Sequence, residues 1–265
     1  MKKPAGRSPD LQKPFDAAVV IVTILRPSLR RAVRSVFNQD LRGRVQILIG
    51  IDVAKGDPKI LDELTAECPD NMAITVVNPG YSTAGLNGGL YRNRDGGSLR
   101  TILSFLANSR LVAYLDDDNW WAPHHLSDLV SAIKGHDYAF ALRWLLDGVT
   151  EEILCVDDFG SVGPGRGTYK RKGFHGHIDT NCLMVDRDRC MTELWSWSVP
   201  FYLEGGSDPH FVKTLHEAGL DDTNFIVLGV ERDPDWISAP FTNFKLEHGD
   251  RLVVYGYHIT AAALD

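Results

Sequence analysis

Three consecutive carboxylates, Asp116, Asp117 and Asp118, are the residues of this 265-residue sequence best placed to do chemistry. They end an unbroken apolar run, Leu111-Val112-Ala113-Tyr114-Leu115, which reads as a strand buried on both faces. Two unit charges ~4 Å apart near a protein surface repel by about 4 kcal/mol, so three adjacent carboxylates call for a cation. Oxygen-only ligands on a short turn suit a hard divalent ion, Mg²⁺ or Mn²⁺. In an extended chain alternate residues face the same side, which pairs Asp116 with Asp118 and sets Asp117 apart. Such an ion is commonly held by one or two carboxylates plus substrate phosphates, so the pair implies a phosphorylated ligand. The competing reading is a solvated acidic turn capping the next helix.

The elements that must position this turn alternate. Ala17 to Ile24 predicts a first strand, with Thr23, Arg26 and Pro27 at its exit. Ser28 can cap a helix whose apolar residues fall at Leu29, Ala32, Val33, Val36 and Phe37. Val45 to Ile51 predicts a second strand ending at Asp52, Pro58 to Glu67 a helix, and Ala73 to Val77 a third strand. Asn78 to Gly97 is rich in glycine and carries Asn87, Arg92, Asn93 and Arg94, a segment suited to close over an anionic ligand or to serve as a plain surface loop. Ile102, Leu103 and Leu106 mark a helix that leads into the acidic strand.

After the aspartates, Pro123 and Gly135 bracket a helix with Leu126, Leu129, Val130 and Ile133 inward, and His124 and His125 are expected at its surface or cap. Tyr138 to Trp144 predicts one more strand. Beyond Asp147 the pattern changes to short strands and a glycine-rich stretch, Gly160 to Gly176. A strand over Asn181 to Val185, a short helix over Arg187 to Trp197, a helix from Asp208-Pro209 to Gly219, and strands over Phe225 to Val230 and Leu252 to Tyr257 complete the reading. Strands alternating with helices specify an α/β fold with a mostly parallel sheet flanked by helices, followed by a smaller sheet region on the acceptor side. Residues 1–14 read as a flexible tail. Residues 15–265 read as a single domain, with a nucleotide-binding half (15–144) and an acceptor and catalytic half (145–265).

Composition narrows the classes. A net charge of −7 with no basic block argues against a nucleic-acid binder. Cys68, Cys155, Cys182 and Cys190 show no Cys-x-x-Cys spacing and read as reduced cysteines of a cytoplasmic protein. The longest apolar run, Ala17 to Leu25, is far short of the ~20 residues that span a bilayer. Assembly into a homo-oligomer is left open.

From Val19 to Gly219 the chain resembles the family 2 glycosyltransferases of the GT-A fold, a Rossmann-like sheet. The resemblance is carried by the Thr23-to-Ser28 opening with Ser35-Val36-Phe37-Asn38-Gln39 at the end of the next helix, by Asp52, by Gly88, Arg92 and Asn93, by Leu115-Asp116-Asp117-Asp118 as an Asp-x-Asp signature, and by Asp208. It implies a non-processive, inverting transfer of a sugar from a UDP- or GDP-type donor to an acceptor hydroxyl, with Mn²⁺ or Mg²⁺ as cofactor. Donor contacts would come from Thr23, Arg26, Asp52, Asn87, Arg92, Asp116 and Asp117. Metal ligands would come from Asp118, Asp116 and a late histidine, His258. Asp208 would be the catalytic base, with Glu204 its rival because the family often has Glu-Asp where this chain has Ser207-Asp208.

Other readings stay beside these. Asp208-Pro209 is also a plain helix start, and Asp52 a plain turn residue. Trp120 and Trp121 can pack on a sugar or fill core. His175 and His177, in the glycine-rich stretch, are acceptor-side candidates. Against the enzyme stand a non-catalytic nucleotide-sugar or glycan-binding protein and a sugar-nucleotide pyrophosphorylase. The latter is disfavoured because Thr23 to Leu29 contains no glycine.

Overall fold

The computed structural model describes residues 10–90, 96–147, 150, 153–171, 176–199, 207–221 and 255–259. The chain runs β1 (Ala17–Thr23), α1 (Leu29–Phe37), β2 (Val45–Ile51), α2 (Lys59–Glu67), β3 (Met72–Val77), α3 (Gly97–Leu106) and β4 (Leu111–Asp116). It continues with β5 (Trp120–Trp121), α4 (His125–Ala132), β6 (Tyr138–Phe140), β7 (Trp144–Asp147), β8 (Ile153–Val156), β9 (Gly163–Pro164), α5 (Gly167–Arg171) and β10 (Gly176–His177). β11 (Leu183–Asp186), α6 (Ser207–Glu217) and β12 (Tyr255–Ile259) follow.

Six strands form the main sheet in the order β3-β2-β1-β4-β11-β6. β1, β2, β3 and β4 are parallel, and β11 runs antiparallel between β4 and β6. The Val- and Ile-rich runs are buried on both faces because helices cover both sides of the sheet, as the apolar sequences of β1, β2 and β4, broken within β2 at Gln46, require. A second sheet, β5-β12-β7-β8, starts immediately after the acidic turn.

Several expectations change. Tyr138 to Trp144 is not one strand: β6 stays in the main sheet, β7 belongs to the second, and the chain crosses between them at Ala141–Arg143. The crossing is pinned by Arg143, whose partly buried guanidinium bridges Asp157 and Asp179. α3 buries Leu99 and Leu103 together with Arg100 and Ser104, and leaves Ile102 and Leu106 exposed. That face brings Arg100 to the end of β4, and Gly50 permits the close approach, since a Cβ there would lie 2.9 Å from Leu103 Cδ1. The helix expected over Arg187 to Trp197 is a set of turns ending in a 3-10 segment, Leu194–Ser198, and β11 begins only at Leu183, after a 3-10 turn over Thr180–Cys182. The strand expected over Phe225 to Val230 lies outside the described residues. Among the described residues no helix is long and apolar enough to cross a membrane.

One aromatic cluster welds α6 to the sheet. Tyr114 of β4, Trp197 of the 3-10 segment and Phe211 of α6 are all fully buried. The Trp197 and Phe211 rings stack with centroids 4.2 Å apart, and Tyr114 meets Trp197 at 4.9 Å. Such pairs add to the free energy of burial by about 0.5–1.5 kcal/mol each. Phe211→Ala is expected to lower stability by about 3–5 kcal/mol. Denaturant unfolding checks this, and because α6 carries Asp208 the loss should be accompanied by weakened order at that residue.

Candidate active site

β1 and β4 are parallel neighbours, with Val22 opposite Asp116, so the exit of β1 meets the acidic turn at the carboxyl end of the sheet. That is where open α/β sheets place ligands. β4 stops at Asp116, and Asp117 and Asp118 belong to a turn, so strand alternation does not govern them. Asp117 points inward and is 4% exposed. It accepts hydrogen bonds from Thr23 Oγ1 at 2.6 Å and from an Arg26 guanidinium nitrogen at 3.1 Å. The same nitrogen reaches Asp118 Oδ2 at 2.6 Å, and the Asp118 side chain is half exposed. Thr23 Oγ1 also accepts the N–H of Leu25, a buried residue with φ 64°, the left-handed region that costs a branched side chain about 1–2 kcal/mol. The threonine thus holds both the aspartate and a strained turn.

Asp116 goes a different way. Arg100, buried in α3, donates to its Oδ1 at 2.5 Å, and Asn181 Nδ2 donates to its Oδ2 at 3.3 Å. Burial raises the pKa of Asp116 above the ordinary carboxylate value; Arg100 pulls it back, and the charges of Asp179 and Asp118 push it further up. Burial likewise raises Asp117, against the hydrogen bond from Thr23 and the charge of Arg26.

Asp208 lies in the first turn of α6, where Ser207 Oγ donates to its Oδ1 at 3.3 Å. Burial pushes its pKa up to about 7. Arg100 opposes that shift, while Asp116 and Asp179 add to it, so Asp208 shares one electrostatic site with the end of β4. The expected base and the expected acidic turn are therefore brought together around a single buried arginine.

Asp52, just past β2, is 6% exposed and ties to Thr23 through its backbone N–H, 2.9 Å from the threonine carbonyl. Ser82 Oγ stands 2.9 Å from each of its carboxylate oxygens, and Asn87 Nδ2 donates to it at 3.3 Å. Lys55 in turn donates to Asn87 Oδ1 at 2.9 Å. Asp52 and Asn87 thus form one small polar group beside the β1 exit.

Of the acceptor-side candidates, Trp120 carries the Arg31 guanidinium over its ring at 3.2 Å from the centroid. Trp121 is a core residue, not an open face: it is 3% exposed, stacks on His125 at 4.7 Å, and donates its indole N–H to the Asn181 carbonyl at 2.9 Å. His125, expected at the surface, is fully buried beneath it, and burial lowers its pKa to about 3. His177 is 6% exposed and packs on Tyr169 at 4.7 Å; burial pushes its pKa down to about 4. His258 lies on β12 in register with Leu146, and its side chain is outside the described residues. Arg92, Glu204 and His175 also lie outside them.

Among the described residues no cluster of three or more His, Cys, Asp or Glu is arranged to hold a metal. The available donors are Asp118, which is half exposed, and Asp116, whose side chain is 29% exposed. They are hard oxygen donors close enough for the charge of one to raise the pKa of the other. That donor set fits a hard divalent cation completed by ligand oxygens, provided the cation takes the place of Arg26 at Asp118.

Sequence reasoning missed the residues that arrange the site. Arg100 interrupts an apolar helix face between Leu99 and Leu103, a spacing that was legible as a buried cation. Asn181, Asp179, Arg143 and Asp157 carried no pattern, since their partnership depends on contacts between distant elements.

The fold is GT-A-like. The crystal structure of S. aureus TarS 1–349 aligns with a TM-score of 0.52 at 13% identity, covering 75% of this chain and 55% of that one. The same TarS portion in complex with UDP aligns at 0.50 and 13% identity, over 74% and 54%. The mannosyltransferase PcManGT from Pyrobaculum calidifontis, in complex with GDP-Man and Mn²⁺, aligns at 0.50 and 14% identity, over 83% and 57%. The chain spans little more than half the length of these structures. No protein-family model matches the sequence, and no curated protein matches it.

The raised pKa of Asp208 has a sign. The folded chain keeps the proton while the unfolded chain loses it, so stability falls as pH rises from the ordinary value of 3.8 towards 7 and is flat above that. Asp208→Asn removes this linkage. Wild type is expected to lose stability relative to the variant across that interval, and the ¹³C carboxyl resonance of Asp208 to titrate near its upper end. Parallel pH profiles of the two proteins would contradict the assignment.

Proposed function

We propose that this chain is a glycosyltransferase that moves a sugar from a nucleoside diphosphate donor to an acceptor hydroxyl, in one displacement that inverts the anomeric centre. The observation that carries the reading is a buried Asp208 within electrostatic reach of the Arg100–Asp116 pair that ends β4 in a GT-A-like sheet. The structurally similar proteins support the donor class, since one is described with UDP and another with GDP-Man and Mn²⁺.

Asp118, with Asp116, would hold a divalent cation, which when bound offsets the charge that develops on the departing diphosphate. The chain's own groups do the rest. Asp208 accepts the proton of the acceptor hydroxyl, and a base with a pKa near the working pH is well matched to that task. Arg100 favours the ionised forms of both Asp116 and Asp208, against the burial that raises their pKa. Asp52, with Ser82 and Asn87 gathered on it, meets the base edge and sets donor choice. Asp117, tied down by Thr23 and Arg26, fixes the turn rather than touching the donor. Arg92, Glu204, His175 and His258 remain candidates for donor, catalytic, acceptor and metal contacts.

The test is a panel of UDP- and GDP-sugars with Mn²⁺, read as nucleoside diphosphate release and as binding. Wild type is expected to turn over at least one donor. Asp118→Ala should lose metal-dependent donor binding. Asp208→Asn should bind donor within a few-fold of wild type while kcat falls roughly 10²–10⁴-fold. Binding without turnover would make the chain a nucleotide-sugar-binding protein instead, and neither binding nor turnover would end the reading.

A further inference from the structure

Asn181 stands where the chain enters β11, in the 3-10 turn over Thr180–Cys182, and it is fully buried. Both ends of its amide are committed to the same neighbour. Oδ1 accepts the backbone N–H of Asp116 at 2.6 Å, and Nδ2 donates to Asp116 Oδ2 at 3.3 Å. Nδ2 also donates to Asp179 Oδ1 at 2.7 Å, and the Asn181 N–H donates to that oxygen at 2.9 Å. From the other side, Trp121 Nε1 donates to the Asn181 carbonyl.

Asp179 is itself fixed. Arg143 bonds its second oxygen and, at 2.8 Å, the carboxylate of Asp157, while the Asp179 N–H donates to Ser161 Oγ at 2.8 Å. Asp157 gathers the N–H groups of Phe159, Gly160 and Ser161 at the start of the glycine-rich stretch. An unbroken array thus runs from that stretch through Arg143 and Asp179 to Asn181, and ends on the carboxylate of Asp116.

An amide suits the end of the array for a chemical reason. It offers one acceptor and one donor in a plane, matching the N–H and the carboxylate of a single residue. A carboxylate at 181 would stand against Asp116 and Asp179, and a shorter side chain would not span the gap. Without Asn181, the side-chain partner left to Asp116 among those described above is Arg100.

We propose that Asn181 is a positioning residue, which by gripping the N–H and Oδ2 of Asp116 while Arg100 holds Oδ1 fixes the orientation of that carboxylate. The consequence for turnover rests on the glycosyltransferase reading; the consequence for Asp116 does not. Full-chain Asn181→Ala and Asn181→Ser are compared with wild type by crystallography, thermal unfolding and Mn²⁺-dependent donor turnover. The serine variant, which keeps a hydroxyl in the cavity, guards against a folding failure of the alanine variant.

The expected result is an Asp116 carboxylate turned about its contact with Arg100, its Oδ2 displaced from the wild-type position, in Asn181→Ala, less so in Asn181→Ser. Half-saturating Mn²⁺ should rise and kcat/KM for donor should fall, each by roughly 10–100-fold, in protein that still folds. A displaced Asp116 in a chain whose wild type turns over no donor supports the positioning role and sinks the enzymatic reading alone. An Asp116 that stays in place overturns the proposal, whether turnover is unchanged or falls only with the folded fraction.

Discussion

Three like charges in successive residues at the end of a buried strand are the constraint around which this molecule is built. In low dielectric such charges are tolerated only when each has a partner and its hydrogen bonds are satisfied. The structure divides them. Asp116 goes to Arg100 and Asn181, Asp117 goes inward to Thr23 and Arg26, and Asp118 turns out to Arg26 and solvent. The division gives the three carboxylates three different environments, so one short run supplies a buried anchor, a partly buried charge and an exposed carboxylate.

Much of the surrounding architecture follows. α3 turns a charged residue into the core because Asp116 needs a cation there. The β1 exit adopts a strained turn at Leu25 because Thr23 must serve Asp117 and the backbone at once. The chain leaves the main sheet at Arg143 because its guanidinium is needed between Asp157 and Asp179. α6, clamped by Trp197 and Phe211, delivers Asp208 into the same buried region, and burial there, with the charges of Asp116 and Asp179 and against that of Arg100, pushes its pKa up to about 7.

The legible part of the fold was the part set by burial. β1, β2 and β4 are buried on both faces, so their sequences are apolar runs, interrupted within β2 at Gln46, that can be read one segment at a time. The acidic turn and Asp208 were legible because carboxylates at the edges of such elements stand out. The failures have a common cause. Tyr138 to Trp144 is apolar except at Arg143, and nothing local says that its two ends join different sheets. Asp117 and Asp118 were read by strand alternation, although the strand ends one residue earlier. His125 and Arg100 are polar residues in amphipathic helices, yet each faces inward because a partner from another element awaits it. Asn181 has meaning only through Asp116, Asp179 and Trp121, which lie far from it or give no periodic signal.

The central claim is that the separated carboxylates of the acidic turn form the cation- and diphosphate-binding edge of the sheet. A crystal grown with UDP or GDP and Mn²⁺, measured at the manganese edge, tests it most directly. The account predicts an anomalous peak within about 2.5 Å of an Asp118 oxygen, close to Asp116, with Arg26 moved off Asp118 and the diphosphate completing the shell. A nucleotide bound elsewhere, or a manganese peak remote from the end of β4, would contradict it.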